Sequence, residues 1–177
     1  VKADGRFGEG DRLVVDLIAE PDGDVFDADL QIEAPEGGVL TSLANLEGGY
    51  TASLDGDGTW TRWDGELAID RDDEALGRFR LSAEGAADLA DNRADAVQFV
   101  ATLRDPELFG PDLRFEGAQA SGTIDGSFRD LSVPFRLVAD RFSAGTTTIT
   151  GIAQEGTATY DGSRWVIPLD ATIGRIA

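Results

Sequence analysis

The sequence lacks cysteine, methionine and histidine altogether, and Lys2 is its single lysine. Without cysteine there can be no disulfide, no thiolate nucleophile and no cysteine-ligated zinc site. Without histidine the chain has neither the usual imidazole metal ligand nor the base of a Ser-His-Asp triad. These absences exclude the commonest routes to nucleophilic and zinc-dependent catalysis.

Positive charge is also scarce. The chain has 15 basic and 34 acidic residues, which gives a formal net charge of −19. Such a surface repels the phosphates of nucleic acids and the headgroups of anionic lipids, so we expect no nucleic-acid partner. No apolar run approaches the roughly 18 residues that a membrane-spanning helix needs. Hydrophobic residues make up 41% of the chain, which is enough for a folded domain.

Acidic residues beside glycine raise the question of calcium binding, because residues 54–67 read LDGDGTWTRWDGEL. An EF-hand loop needs oxygen ligands at positions 1, 3, 5 and 12 and glycine at position 6. Counting from Asp55 places Trp60 at position 6, and no helical pattern flanks the stretch. Glycine-rich phosphate-binding motifs and the G-x-S-x-G elbow are missing as well. We therefore expect no enzyme, no metal site and no cofactor.

Alternation of apolar and polar residues dominates the chain and predicts half-buried β-strands. Leu13, Val15 and Leu17 form an early set of one parity, and Phe135 and Leu137 belong to a late one. Clusters of Asp, Gly and Pro separate such sets. They predict turns at PDGD 21–24, PEGG 35–38, DGDG 55–58, DG 64–65, DG 125–126 and DGS 161–163.

A few segments depart from the strand pattern. The single helix candidate covers roughly residues 86–96, and residues 104–113 are expected to form a loop. Pro134 and Pro168 fall at the polar positions of their strands. Because proline cannot donate to a β-ladder, we expect an open edge or a bulge at each of them.

An internal repeat relates residues 122–142 to residues 156–176 at an offset of 34. Gly122 matches Gly156 and Pro134 matches Pro168, and each copy contains an Asp-Gly pair. Repeats on this scale are typical of stacked architectures, in which each unit buries its apolar face only beside its neighbours.

The one-sided apolar faces leave two architectures open. They can close onto each other as the core of a β-sandwich or barrel, or they can line an open groove for an apolar ligand. The internal repeat favours the second arrangement. We therefore predict an all-β fold with a curved, mostly antiparallel repeat sheet that forms an open U-shaped groove; a closed β-sandwich or barrel is the alternative.

The groove of this predicted sheet would be lined by the large apolar residues of the alternating sets. Each of them has ordinary core packing as its competing interpretation. These candidates are Leu17, Leu30, Ile32, Leu54, Trp60, Leu67, Ile69, Phe79, Leu81, Phe99, Leu103, Phe115, Ile124, Phe128, Phe135, Leu137, Ile149, Tyr160, Trp165, Ile167, Leu169 and Ile173.

Two stretches carry a resemblance to a known family. GTATYDGSRWVIPLDATIGRI, which follows FRLVADRFSAGTTTITGI, is similar to repeats of the TamB/AsmA-like proteins of diderm bacteria. LEGGYTASLDGDGTWTRWDGELAID also resembles TamB-type sequence, in which a G-T-W-x-x-W-x-G phrase leads into an alternating strand. The resemblance covers roughly residues 40–177, whereas residues 1–40 match only in general style.

The resemblance implies a fold and a setting. Members of this family are anchored in the inner membrane and span the periplasm with a long twisted β-structure, the β-taco, which has an apolar inner groove. The family is implicated in phospholipid transport between the inner and outer membranes. It is also linked to outer-membrane protein assembly through a BamA-type partner barrel. This chain would then be a periplasmic groove fragment of a longer repeat protein, residues 1–177, with sub-units 1–85, 86–142 and 143–177.

Three functions follow as hypotheses. The first is a conduit that shelters phospholipid acyl chains, with flanking repeats of the same chain as neighbours. The second is a protein-interaction module that binds by pairing at sheet edges, which would also allow the fragment to dimerise. The third is a carbohydrate-binding β-domain with Trp60, Trp63 and Trp165 as sugar platforms.

Overall fold

The computed structural model describes residues 1–8, 10–44, 48–73, 77–104, 113–168 and 170–176. Within them the chain forms one antiparallel sheet of 13 strands and a single short helix. The strands lie in the order β1-β2-β3-β4-β5-β6-β7-β9-β10-β11-β12, while β8 pairs with β10 and β13 pairs with β11. The predicted all-β fold with an open antiparallel sheet is confirmed.

The elements follow one another along the chain as hairpins, so neighbours in sequence are mostly neighbours in the sheet. Their bounds are β1 (Lys2–Phe7), β2 (Asp11–Glu20), β3 (Val25–Ala34), α1 (Val39–Ala44), β4 (Tyr50–Gly58), β5 (Trp63–Asp73), β6 (Gly77–Asp88), β7 (Arg93–Arg104), β8 (Leu113–Glu116), β9 (Ala118–Ser127), β10 (Asp130–Ala144), β11 (Thr147–Tyr160), β12 (Trp165–Val166) and β13 (Ala171–Ile176). The predicted sub-unit boundaries after residues 85 and 142 fall inside β6 and β10.

The sheet does not close on itself in the described part of the chain. Strand β1 forms one edge, and β12 and β13 form the other, with no ladder between them. The accessible surface is 11253 Å², whereas a compact protein of 18.8 kDa exposes about 8,300 Å². The closed sandwich or barrel, which was the alternative prediction, does not describe this structure.

The sheet has no second layer over it among the described residues. The buried apolar residues of that part are Val133 and the small residues Ala34, Ala86, Ala94, Ala118, Ala139 and Ala158. Large apolar side chains are half-buried or exposed instead. A closed core of this size would bury large side chains fully, so the apolar side of the sheet is partly open to solvent.

Several predicted turns and the predicted helix are wrong. Residues 86–96 contain the end of β6, a turn at 89–92 and the start of β7. The DGDG residues 55–58 belong to β4 and the DG pair 64–65 belongs to β5, so the turn lies between them at 59–62. The turns at 21–24, 35–38 and 161–163 are confirmed, whereas DG 125–126 lies within β9. Of the predicted loop at 104–113, residues 105–112 lie outside the described residues.

Helix α1 depends on a residue that is distant in sequence. The Asp11 carboxylate, only 1% exposed, accepts hydrogen bonds from the backbone N–H groups of Val39 at 2.7 Å and Leu40 at 3.2 Å. Thr41 donates its hydroxyl to the Pro35 carbonyl oxygen at 3.0 Å. The cap thus satisfies the first N–H groups of the helix, which no residue within the helix can do.

The two prolines behave differently from each other. Pro134 is exposed inside β10, an interior strand, and the β9–β10 ladder skips residues 133 and 134, as a missing N–H donor requires. The polar position predicted for Pro168 is wrong, because its ring lies over Gly156, where a Cβ would be 2.6 Å from Pro168 Cγ. Ile167, Pro168 and Asp170 have no ladder partner and lie between β12 and β13 in the chain.

Candidate functional site: the apolar face

Residues directly opposite each other in an antiparallel pair share one face of the sheet, so the registers define rows of side chains. One row runs without a break from β2 to β10. It consists of Leu13, Ile32, Ala52, Ile69, Leu81, Ala101, Ala120 and Leu137. The neighbouring row runs from β2 to β11. It consists of Val15, Leu30, Leu54, Leu67, Ala83, Phe99, Gly122, Phe135 and Gly156. We call the side that carries these rows the apolar face.

Most of the predicted groove residues lie on the apolar face. They are Leu17, Leu30, Ile32, Leu54, Leu67, Ile69, Phe79, Leu81, Phe99, Leu103, Ile124, Phe135, Leu137, Tyr160, Trp165 and Ile173. Trp165 and Ile173, at the edge of the sheet, are 51% and 44% exposed, while the others are half-buried. The register therefore brings together residues that the sequence spreads over more than 150 positions.

The remaining predicted residues lie elsewhere. Trp60 and Phe128 are in turns, and Ile167 follows β12 and is 56% exposed. Ile149 is three positions from Ile152 in β11. Gly151 lies between them with φ +65° and interrupts the alternation of the strand. Ile149 is therefore not in the rows defined above. Two further residues were predicted for the groove: Leu169 lies outside the described residues, and only the backbone of Phe115 is described.

Glycines on the apolar face make room for an indole ring. A Cβ on Gly56 would lie 2.7 Å from Trp63 Cε2, and one on Gly65 would lie 2.6 Å from Trp63 Cζ3. The Trp63 ring thus lies across two strands. Phe26 contacts it, with ring centroids 6.3 Å apart, and contacts Trp60 at 4.9 Å. Because both indoles pack in this cluster, Trp165 is the tryptophan that is most accessible as a platform for a ligand.

Three polar side chains are buried on this face, and sequence reasoning missed all of them. They are Asp11, Arg71 and Gln154, at 1%, 5% and 9% exposure. Arg71 donates to the Tyr50 hydroxyl oxygen at 3.2 Å, and its guanidinium carbon lies 5.7 Å from the centre of the Tyr50 ring. Gln154 donates to the Pro168 carbonyl oxygen. Arg71 continues the parity of Leu67 and Ile69, and its contacts with Tyr50 come from another strand, so the sequence around Arg71 does not predict them.

Hydrogen bonds join the turns along one rim of the sheet, which we call the hairpin rim (turns 21–24, 59–62, 89–92, 128–129 and 161–164). The Trp60 N–H donates to Asp24 Oδ1 at 3.1 Å, and the Leu89 N–H donates to the Trp60 carbonyl oxygen at 2.8 Å. The Phe128 N–H donates to the Asn92 carbonyl oxygen at 2.8 Å. These hydrogen bonds tie the first four of the five turns to one another.

The row of side chains nearest the hairpin rim contains three aromatic residues. It runs through Gly58, Trp63, Ala87, Ala94, Gly126, Leu131, Tyr160 and Trp165. Tyr160 and Trp165 stack with ring centroids 5.2 Å apart. Trp60 stands in a turn of the same rim, so all three tryptophans of the chain lie along it.

The opposite side of the sheet, the acidic face, carries carboxylates at the corresponding positions. One row there runs through Asp16, Asp29, Asp55, Glu66 and Glu84, each directly opposite the next. A shallow depression of about 360 Å³ lies over part of this row and over Ser82 and Gln98. Like charges directly opposite each other are destabilising, so this row costs stability. The described residues contain no group of three acids arranged to hold a metal ion.

Ion pairs moderate the charge at a few exposed places. The Asp16 carboxylate beside Lys2 raises the pKa of that amine through a hydrogen bond and charge attraction. Asp161 accepts hydrogen bonds from the Ser163 hydroxyl and from the backbone N–H groups of Arg164 and Ser163, and these bonds lower the pKa of Asp161. Both groups are solvent-exposed and belong to structural contacts, so neither indicates a catalytic centre.

Comparison with protein-family models, with curated proteins and with solved structures gave no match. Among the described residues, no helix has both the length and the apolar character needed to cross a bilayer.

Proposed function

We propose that the protein is a lipid-binding module, not an enzyme, and that its apolar face shelters the acyl chains of phospholipids. The observation that supports this function best is a continuous apolar face, at least eight strands wide, whose large side chains are half-buried although nothing in the described part covers them. A soluble protein rarely exposes so extended an apolar surface without a partner.

An acyl chain is chemically suited to cover such a face. Each methylene group that leaves a bilayer for water costs about 0.8 kcal/mol, and contact with an apolar surface recovers most of that cost. Because the rows consist of aliphatic and aromatic side chains of similar character, a chain can shift along them without meeting one strong binding site. This property suits a conduit for phospholipids between the inner and outer membranes, in a periplasmic protein involved in outer-membrane biogenesis.

Lipid bound to the purified protein tests this proposal. Native mass spectrometry and extraction with organic solvent should detect co-purified phospholipid. Photo-crosslinking with a diazirine-labelled phospholipid should label the wild-type protein, and Leu137→Arg should remove most of that labelling because it places a charge in the row that runs from Leu13 to Leu137.

A matched control is available on the other side of the sheet. Val100 lies opposite Ser82 and is 39% exposed, so Val100→Arg adds the same charge to the acidic face. It should leave the labelling unchanged. A protein that carries no lipid and is labelled equally in both variants would rule out the lipid function.

Pairing of an edge strand with another protein is the second candidate function. The outer side of β13 has no neighbour in the described part, and its residues Ile173 and Ile176 are 44% and 64% exposed. A strand from a partner such as a BamA-type barrel, a flanking repeat or a second copy could add there by backbone hydrogen bonds. Sedimentation with Ile173→Lys tests this, because the variant should abolish any such association.

A further inference from the structure

Exposed apolar residues concentrate at one corner of the sheet, which we call the corner patch (Phe128, Trp165, Val166 and Ile167). These side chains are 47%, 51%, 52% and 56% exposed, respectively. Elsewhere along the hairpin rim the aromatic side chains Phe26, Trp60 and Trp63 are half-buried and pack on one another. The corner patch is thus the part of this rim that presents apolar surface outward.

Phe128 lies in the turn at 128–129, and Trp165, Val166 and Ile167 directly follow the turn at 161–164. The two turns are held together. A Cβ on Gly162 would lie 3.1 Å from the Arg129 carbonyl oxygen, so the turn at 161–164 lies against the turn at 128–129. The stacked pair of Tyr160 and Trp165 adjoins this contact. The patch therefore projects from a supported corner of the sheet.

The corner patch also differs from the rest of the molecule in charge. Its two turns together with the first residue of β10 carry two cations, Arg129 and Arg164, and two anions, Asp130 and Asp161, which sum to zero. Arg164 and Asp161 form an ion pair at 3.2 Å, and both side chains are more than half exposed. The whole chain carries −19. A neutral, aromatic and apolar corner is therefore the part of the protein that meets least electrostatic repulsion when it approaches another surface.

We propose that the corner patch docks on the surface of a zwitterionic phospholipid bilayer. Tryptophan and tyrosine favour the boundary between headgroups and acyl chains, where the ring body is in apolar surroundings and the polar tip is hydrated. Adjacent Arg and Asp side chains match the phosphate and the ammonium of a zwitterionic headgroup. Anionic lipids are the poorer partner because the net charge of the chain opposes them.

This docking extends the proposed lipid-binding function by naming the place where the protein meets a bilayer. The Trp165 end of the row nearest the hairpin rim would then lie at the membrane, and the rows of the apolar face would lead away from it. The two proposals can fail separately, since vesicle binding depends on the corner patch and lipid retention depends on the rows that contain Leu137 and Phe135.

Intrinsic fluorescence of Trp165 gives a local test. In the Trp60→Phe/Trp63→Phe background, Trp165 is the single tryptophan, and vesicles of phosphatidylcholine should shift its emission to the blue. Brominated phosphatidylcholine should quench it, with the strongest quenching from bromine near the headgroup end of the acyl chain. Replacement of 30% of the lipid by phosphatidylglycerol should weaken binding at low salt, and added salt should restore it.

Flotation of the otherwise wild-type chain with the same vesicles measures the partition constant. Phe128→Ser and Trp165→Ser should each lower it by about tenfold. Leu43→Ser is the matched control, since Leu43 is 80% exposed on α1, away from the hairpin rim; it should change the constant less than twofold. Circular dichroism should show that all three variants keep the wild-type strand content.

Several outcomes would overturn the proposal. One is a partition constant that falls equally in the Leu43→Ser control. Another is binding that requires phosphatidylglycerol, and a third is a blue shift that rises with protein concentration in the absence of vesicles, which would show a second copy on the patch. Retention of lipid by native mass spectrometry together with no flotation would refute the docking and leave the proposed lipid binding standing.

Discussion

The two faces of the sheet share the same registers, but residues that lie opposite each other attract on one face and repel on the other. Across the apolar face, Leu30, Leu54 and Leu67 lie directly opposite one another, and each such contact adds burial. Across the acidic face, Asp29, Asp55 and Glu66 lie opposite one another one position away, and each such contact adds repulsion. The hydrophobic rows must therefore provide the stability of the sheet, while the acidic rows keep its other side solvated and free of association.

The largest effect is expected from filling the space beneath Trp63. Gly65→Ala would bring a Cβ to 2.6 Å from Trp63 Cζ3, and such overpacking should lower the free energy of unfolding by about 2–3 kcal/mol. Chemical denaturation would measure it. Ser53→Ala, on the acidic face of the adjoining strand, should cost less than about 0.5 kcal/mol. A double variant with Trp63→Leu should show that part of the loss from Gly65→Ala is relieved, and a strictly additive result would contradict the contact.

The next largest effect is expected at Asp11, an acidic residue that lies on the apolar face. Asp11 shares its parity with Leu13 and Val15, and it is buried because it caps α1. Asp11→Ala should destabilise the protein by about 1–3 kcal/mol, since it leaves two backbone N–H groups without an acceptor. Asp55→Ala, in the exposed acidic row, should change stability by less than about 0.5 kcal/mol. Equal losses in the two variants would mean that burial of a carboxylate makes no difference here.

A charge reversal in the acidic row should have a smaller effect of opposite sign. Glu66 lies between Asp55 and Glu84, so Glu66→Lys replaces two repulsions by two attractions. We expect a gain of about 0.5–1 kcal/mol at low ionic strength, which should shrink as salt is added. Urea titrations at two salt concentrations would check it. A destabilised variant, or a gain that salt does not alter, would contradict the electrostatic account of this face.

The smallest effect is expected at the irregularity in β7, where the ladders with β6 and with β9 both shift register. Ala96 has φ +51° in the register shift that separates Ala94 from Val97. Ala96→Gly removes the penalty of a side chain in this left-handed conformation, although glycine also loses more entropy on folding. The net gain should be about 0.5 kcal/mol in thermal unfolding. Asn92→Gly, at φ +51° in the preceding turn, should gain less, because asparagine tolerates that region better.

Alternation of residue types was sufficient to predict most strands, because it is a local property of the sequence. The turns were harder to locate. Asp-Gly pairs such as Asp64-Gly65 predict turns, yet here Asp64 belongs to the acidic face and Gly65 makes room for Trp63. Both roles depend on residues on other strands, so the sequence around the pair does not distinguish them from a turn.

The candidate site shows the same division between local and distant information. The apolar parity of Leu67 or Leu137 can be read from neighbours two positions away, and the open sheet follows from that parity and the repeat. Helix α1 has six residues and takes its cap from Asp11, 28 positions earlier. Likewise, the hydrogen bonds between turns and the alignment of Trp63 with Trp165 arise only from the assembled register.

A sheet without a second layer has a thermodynamic signature of its own. Its elements make their principal contacts with the neighbouring strands, so its energy resembles a sum over a one-dimensional array. Unfolding should then begin at β1 and at β13 and move inward, and amide hydrogen exchange should slow gradually from both edges toward β6 and β7. Because burial is limited, the heat-capacity change of unfolding should be lower than the value of about 12–15 cal/mol/K per residue that compact proteins show. In such an array each strand contributes its own contacts with its neighbours, and the sheet can be extended by one hairpin at a time.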